Sequence, residues 1–85
     1  MSDFDESDYL ALDGRSLRVF LAVLEAGSVT AAAERLGVTQ SAVSHTLERM
    51  RGVLRDPLFV KSGRGIVPTA HAEALAERGR ALLDD

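Results

Sequence analysis

A short alanine-rich segment, a glycine and a longer amphipathic segment follow one another in the first half of this 85-residue chain. The first segment reads TAAAERL from Thr30, which gives about two helical turns of high helix propensity. Ser28 and Thr30 can each cap this helix, and Gly37 can end it in a left-handed conformation. Thr39 can then cap the next helix. Because alanines let a second helix approach closely, this order predicts a helix-turn-helix.

The second helix of this motif is expected over residues 40–54. Its large apolar residues are spaced by three or four positions and form one stripe, which consists of Val43, Leu47, Met50 and Leu54. Val38 is expected to fill the corner between the two helices. The opposite face of the second helix is polar and carries Gln40, Ser41, Ser44, His45, Glu48 and Arg49.

The polar face of the second helix suits the major groove of DNA. A glutamine can form two hydrogen bonds with adenine, serine can bind several bases, and a helix N-terminus attracts phosphate. An ordinary amphipathic helix with a solvated face is the alternative for such a pattern taken alone. Together with the alanine-rich helix and its glycine turn, the pattern favours binding of double-stranded DNA.

The charge distribution removes most of the conflict between this prediction and the net charge of −3. Residues 1–13 hold five acidic and no basic side chains, whereas residues 35–64 hold six basic and two acidic ones. Local charge decides where a polyanion binds, and the basic stretch is where DNA is expected to bind. The acidic residues 1–12 are predicted to be a disordered leader that precedes the folded part.

A first helix and a hairpin complete the predicted domain. Residues 14–26 carry an apolar stripe and lie between Asp13, a suitable N-cap, and a glycine. After Asp56 and a proline, residues 58–61 and 66–68 read as two short strands joined by a glycine-rich turn. Such a hairpin forms a wing, and Arg64 at its tip is placed to reach a minor groove, with Lys61 beside it.

A last helix is expected from Ala70 to about Leu83, capped by Thr69. Its large apolar residues include Leu75 and Leu82. Gly79 lowers helix propensity in the middle and is explained if another helix packs closely there. Because this helix extends beyond the predicted compact unit, its apolar side is expected to meet a partner chain. The dimer contacts predicted on this basis are Leu75, Gly79 and Leu82.

Two separate motifs resemble the N-terminal DNA-binding domain of LysR-type transcriptional regulators. Residues 27–44 read GSVTAAAERLGVTQSAVS, and residues 56–69 read DPLFVKSGRGIVPT. The resemblance extends from about residue 12 to residue 83. It implies a mainly α fold: a winged helix-turn-helix with a three-helix core and a two-stranded wing, followed by a long linker helix that pairs two protomers.

The resemblance also implies roles for individual residues on an interrupted palindrome read by the dimer. The expected base contacts are Gln40, Ser41 and His45. The expected phosphate contacts are Ser28, Thr30, Thr39, Ser44 and Arg49, and Lys61 and Arg64 of the wing would lie at the minor groove. Position 41 is often proline in the family, and position 45 is often basic or an amide, so Ser41 and His45 are departures that alter contacts.

The predicted domain boundaries are residues 1–12 for the leader, 13–68 for the DNA-binding domain and 69–85 for the linker helix. Family members carry a C-terminal domain that senses a small molecule; it is not among these residues, and we interpret the chain as a truncation or an excised domain. We expect no cofactor and no metal, because the sequence has no cysteine and no regular ligand spacing. No apolar run is long enough for a bilayer, so the expected location is the cytoplasm.

Two other classes of function compete with DNA binding. An enzyme is disfavoured because Ser44 and His45 are adjacent on a helix and do not face each other. A protein-interaction module that keeps the winged fold without binding DNA is the more serious alternative, and the net acidity fits it. Steep salt dependence distinguishes phosphate binding from such an interface.

Overall fold

Four helices and one hairpin make up the computed structural model, which describes residues 14–63 and 65–84, with side-chain surroundings given as far as residue 81. In chain order the elements are α1 (Gly14–Ala26), α2 (Val29–Leu36), α3 (Gln40–Leu54), β1 (Phe59–Ser62), β2 (Gly65–Pro68) and α4 (Ala70–Asp84). The mainly α winged helix-turn-helix predicted from the sequence is confirmed. The predicted acidic leader, Asp13 as the predicted N-cap of the first helix, and Arg64 lie outside the described residues.

Local hydrogen bonds set the ends of α2 and α3. The Ser28 hydroxyl accepts a bond from the backbone N–H of Ala31 at 2.9 Å, so α2 begins at Val29, one residue before the predicted start. Gly37 has a φ of 68° and ends α2, as expected. The Thr39 hydroxyl then accepts a bond from Ala42 N at 3.1 Å and caps α3.

Val38 does not fill the corner between α2 and α3, so that prediction is wrong. Its backbone N–H donates to the Ala33 carbonyl at 3.0 Å, which closes the turn, while its side chain remains 38% exposed. The two helices instead contribute Ala32, Ala33 and Val43 to the common buried core. The small alanine side chains allow neighbouring helices to approach α2 closely.

The apolar stripe of α3 lies in the core, as predicted. Val43, Leu47, Met50 and Leu54 are each at most 2% exposed. Helix α1 packs against α2, α3 and α4, and it contributes Phe20, whose ring lies 5.5 Å from that of Phe59. The hairpin is thereby anchored to the helical core through the first residue of β1.

The hairpin is antiparallel, with Phe59 opposite Pro68 and Ser62 opposite Gly65. Strand β1 begins at Phe59 and not at Leu58, because Leu58 has a φ of 67°, which is left-handed and not extended. The Leu58 carbonyl accepts a bond from Thr69 N at 2.9 Å and closes the base of the hairpin. The wing therefore starts one residue later than the sequence predicts.

One face of the first half of α4 belongs to the core of its own domain. Leu75 is fully buried, together with Ala72 and Ala76, and Gly79 is also buried. A Cβ at Gly79 would lie 3.4 Å from Leu17 Cδ2, so the helix that packs closely there is α1 of the same chain. The prediction that Leu75 and Gly79 contact a partner is wrong, because α4 folds back against α1. Leu82 lies beyond the described side chains, and its dimer contact stays a prediction.

Candidate nucleic-acid interface

The N-terminal turns of α3 present a polar face to solvent. Three predicted base-contacting residues, Gln40, Ser41 and His45, are exposed there, and so is Ser44. Within the described part of the chain, none of these four side chains has a hydrogen-bond or ionic partner. The face exists because the apolar side of α3 is fully engaged in the core. Its donors and acceptors remain available for an external ligand.

Hydroxyls of predicted phosphate-binding residues stand at the beginnings of α2 and α3. Ser28 is half-buried and Thr39 is exposed, and each uses its oxygen to accept a backbone N–H bond as an N-cap. A hydroxyl that accepts one bond still has its own hydrogen to donate. Because helix N-termini also carry partial positive charge, both positions can bind an anion without losing the cap.

A shallow cleft of about 250 Å³ lies between the start of α2 and the wing. Ser28 and Thr30 line it from α2, and Lys61 and Ile66 line it from the hairpin. Gly27 and Gly65 also line it, and a Cβ on Gly65 would lie 3.7 Å from the Gly27 carbonyl oxygen, an ordinary van der Waals distance. The fold therefore brings two predicted phosphate contacts and a predicted wing contact to one side of the molecule.

Arg49 has a partner that the sequence interpretation missed. Its Nη2 donates to Ser16 Oγ in α1 at 3.2 Å, and Ser16 is only 3% exposed. A sequence signal for this contact existed, because Ser16 lies four residues before Phe20 and seven before Val23, on the same helix face. A polar residue in line with two core residues needs a hydrogen-bond partner.

Asp56 forms the second contact group missed at the sequence level, where it served only to end α3. Its Oδ2 accepts bonds from Leu58 N at 2.9 Å and from Thr69 Oγ1 at 2.7 Å. Its Oδ1 lies 3.2 Å from His71 Nδ1, and nearby Arg51 Nε donates to the Pro57 carbonyl at 2.9 Å. We call this group the Asp56 junction; it joins the end of α3 to the start of α4.

In the described ranges 14–63 and 65–84, the His, Asp and Glu side chains do not assemble into a group of three or more that could hold a metal ion. None of the helices in the same ranges is long and apolar enough to cross a membrane.

A helix-turn-helix with an exposed polar second helix, followed by a two-stranded hairpin, defines a winged helix-turn-helix protein. Residues 15–73 match the family model for the bacterial regulatory helix-turn-helix protein, lysR family. The chain therefore belongs to the LysR family.

Relatives of this chain are named as transcriptional regulators. The chain is 43% identical over 74 residues to the HTH-type transcriptional regulator SyrM 1 of Sinorhizobium fredii, and the matched stretch covers 87% of this chain and 22% of that protein. It is 48% identical over 66 residues to the HTH-type transcriptional activator NahR of Pseudomonas putida, and this match covers 78% of this chain and 22% of that protein. The chain thus spans about a fifth of the length of these curated relatives.

A solved structure similar to this one contains DNA. The chain superimposes on the crystal structure of the CbnR DBD–DNA complex with a TM-score of 0.80 and 37% identity. The match covers 86% of this chain and 84% of that chain. The likeness therefore spans most of both chains.

Proposed function

We propose that this chain binds double-stranded DNA sequence-specifically as the DNA-binding domain of a LysR-type regulator, and that it is not an enzyme. The observation that carries the proposal is the exposed, unpartnered polar face at the start of α3. Membership of the family and likeness to a protein solved with DNA support the same function. Such a regulator would act in the cytoplasm, where bacterial DNA lies.

In the proposed complex, α3 enters the major groove. Gln40, Ser41 and His45 contact base edges, since amide, hydroxyl and imidazole groups can all bond there. The phosphate contacts are the residues around the two helix starts and along α3, namely Ser28, Thr30, Thr39, Ser44 and Arg49. Lys61 and Arg64 of the wing lie at the adjacent minor groove.

The proposed assembly is a homodimer formed through the part of α4 beyond Gly79. Leu75 and Gly79 are excluded from such an interface, because both are buried against their own domain. Leu82 and the residues around it are the proposed contact. Two protomers joined in this way would read an interrupted palindrome. A small-molecule effector, if this regulator has one, would bind outside the residues of this chain.

Selection of binding sites from a random duplex pool at low salt tests the proposed function. We expect enrichment of a palindrome with two half-sites and a steep loss of affinity with added salt, because phosphate contacts release counterions. Enrichment of a single half-site would support DNA reading and contradict the dimer. A folded protein that enriches nothing at any salt concentration would favour the protein-interaction module.

Gln40→Ala is expected to cost about 1–3 kcal/mol on the selected site and to relax the preference at one base position. Glu48→Ala is the matched control, because Glu48 is also exposed on α3. Its loss removes a negative charge, so we expect somewhat tighter binding with unchanged sequence preference. Retention of full preference by Gln40→Ala would contradict the placement of Gln40 on a base edge.

A further inference from the structure

A hydrogen bond links the exposed side of α3 to the buried side of α1. Arg49 Nη2 donates to Ser16 Oγ at 3.2 Å, between residues that are 33 positions apart. Ser16 is buried with the core residues of α1, whereas Arg49 is exposed. The bond therefore ties one nitrogen of a solvent-facing guanidinium to a fixed point in the core.

An arginine side chain held at one nitrogen has less freedom than an unheld one. The guanidinium group is planar and has five N–H donors in a rigid fork, so holding one donor narrows the directions in which the others can point. A free arginine loses rotamer freedom when it binds a phosphate. In this protein, part of that freedom is already lost before DNA arrives.

The position of the tethered guanidinium group also favours an anionic ligand. Ser16 lies in the first turn of α1, where the helix dipole is positive and disfavours a cation. Of residues 14–17 in this turn, none is acidic. An anion bound beside the guanidinium group would offset this unfavourable interaction between the cation and the helix dipole.

We propose that Ser16 is a positioning residue that holds Arg49 in the conformation that binds a backbone phosphate of duplex DNA. This inference rests on the proposed function. It adds a residue of α1 to the DNA-binding machinery of the chain, although Ser16 itself is buried and does not touch the ligand.

The test is a double-mutant cycle on Ser16 and Arg49, measured by fluorescence anisotropy with a labelled mixed-sequence duplex over a range of salt concentrations. Arg49→Ala is expected to reduce the slope of log affinity against log salt by about 0.9, the value for one phosphate contact. Ser16→Ala keeps the charge, and we expect an affinity loss of about three- to tenfold. In the double variant, the loss is expected to equal that of Arg49→Ala alone.

Two further variants separate positioning from charge and from stability. Arg80→Ala removes one positive charge from an exposed position on α4, and we expect a smaller change of slope than for Arg49→Ala. Arg49→Lys keeps the charge without the planar fork, so its salt slope is expected to stay near that of the wild type while its affinity falls. The Arg49→Lys variant can be measured even if Ser16→Ala fails to fold. Thermal melting of every variant shows whether it is folded.

Several results would overturn the inference. Losses that add in the double variant would mean that the two residues act independently. A Ser16→Ala variant that melts earlier but binds as the wild type does would reduce the bond to a core contact, and so would wild-type affinity in Arg49→Lys. If the wild-type chain shows no salt-dependent binding of any duplex, the proposed function itself fails.

Discussion

The helix-turn-helix and the Asp56 junction are both turns that end a helix, but they are held together differently. In the first, each cap joins residues three positions apart, as between Ser28 and Ala31 or Thr39 and Ala42. In the second, Asp56 joins Thr69, 13 residues further on, and then His71. The caps of the helix-turn-helix can form within a short segment of the chain, whereas the Asp56 junction requires the hairpin and α4 to be in place. Damage should therefore remain local in one region and spread through the domain in the other.

The largest effect is expected for Leu75→Ala, which removes a fully buried side chain of α4. The free energy of unfolding should fall by about 2–5 kcal/mol, because the change loses apolar burial and leaves a cavity. Chemical denaturation of the DNA-free protein measures this. The matched control is Leu36→Ala, since Leu36 is 36% exposed and should cost much less. An unchanged unfolding free energy for Leu75→Ala would contradict the placement of Leu75 in the core.

Asp56→Ala is expected to have an intermediate effect, about 2 kcal/mol, because it leaves the Thr69 hydroxyl and the Leu58 N–H without their shared acceptor and removes the carboxylate that lies 3.2 Å from His71 Nδ1. Asp56→Asn retains an acceptor of the same shape and should cost less. Denaturation of both variants, followed by circular dichroism, is the measurement. Equal losses for the two variants would mean that the carboxylate charge alone carries the junction. A loss below about 0.5 kcal/mol in both would mean that the junction is not a stabilising contact.

Thr39→Ala should have the smallest effect, about 1 kcal/mol, through loss of the α3 N-cap. Thr39→Ser keeps the hydroxyl and is expected to retain the stability of the wild type. Amide hydrogen exchange adds the spatial information, because increased exchange should be confined to the first turn of α3. Increased exchange throughout α4 in Thr39→Ala would contradict the expectation that damage to the helix-turn-helix remains local.

The same contrast explains which parts of the fold the sequence could predict. The bounds predicted for the first and third helices, residues 14–26 and 40–54, are confirmed, since periodic apolar residues and adjacent caps carry that information locally. The left-handed φ of Leu58 has no such signal, because nothing in the neighbouring residues requires it. The burial of Leu75 was missed because α4 packs against α1 and β2, which are distant in sequence, and the alanines beside Leu75 resemble an exposed helix until those elements are placed.

The candidate site divides along the same line. The exposed face of α3 could be predicted, because one apolar stripe fixes the orientation of the whole helix and leaves Gln40, Ser41 and His45 outside. The tether between Arg49 and Ser16 depends on how α1 crosses α3, which no spacing within either segment specifies. The roles assigned to these residues on DNA remain predictions.

The contact between Leu17 and Gly79 joins the first described helix to the last. During synthesis on a ribosome, α1, α2 and α3 leave the exit tunnel well before α4, so their shared core stays open on one side. A domain that depends on contacts between residues far apart in sequence cannot complete folding until the later segment is available. The face of α3 should therefore reach its final rigidity only after Gly79 has left the exit tunnel.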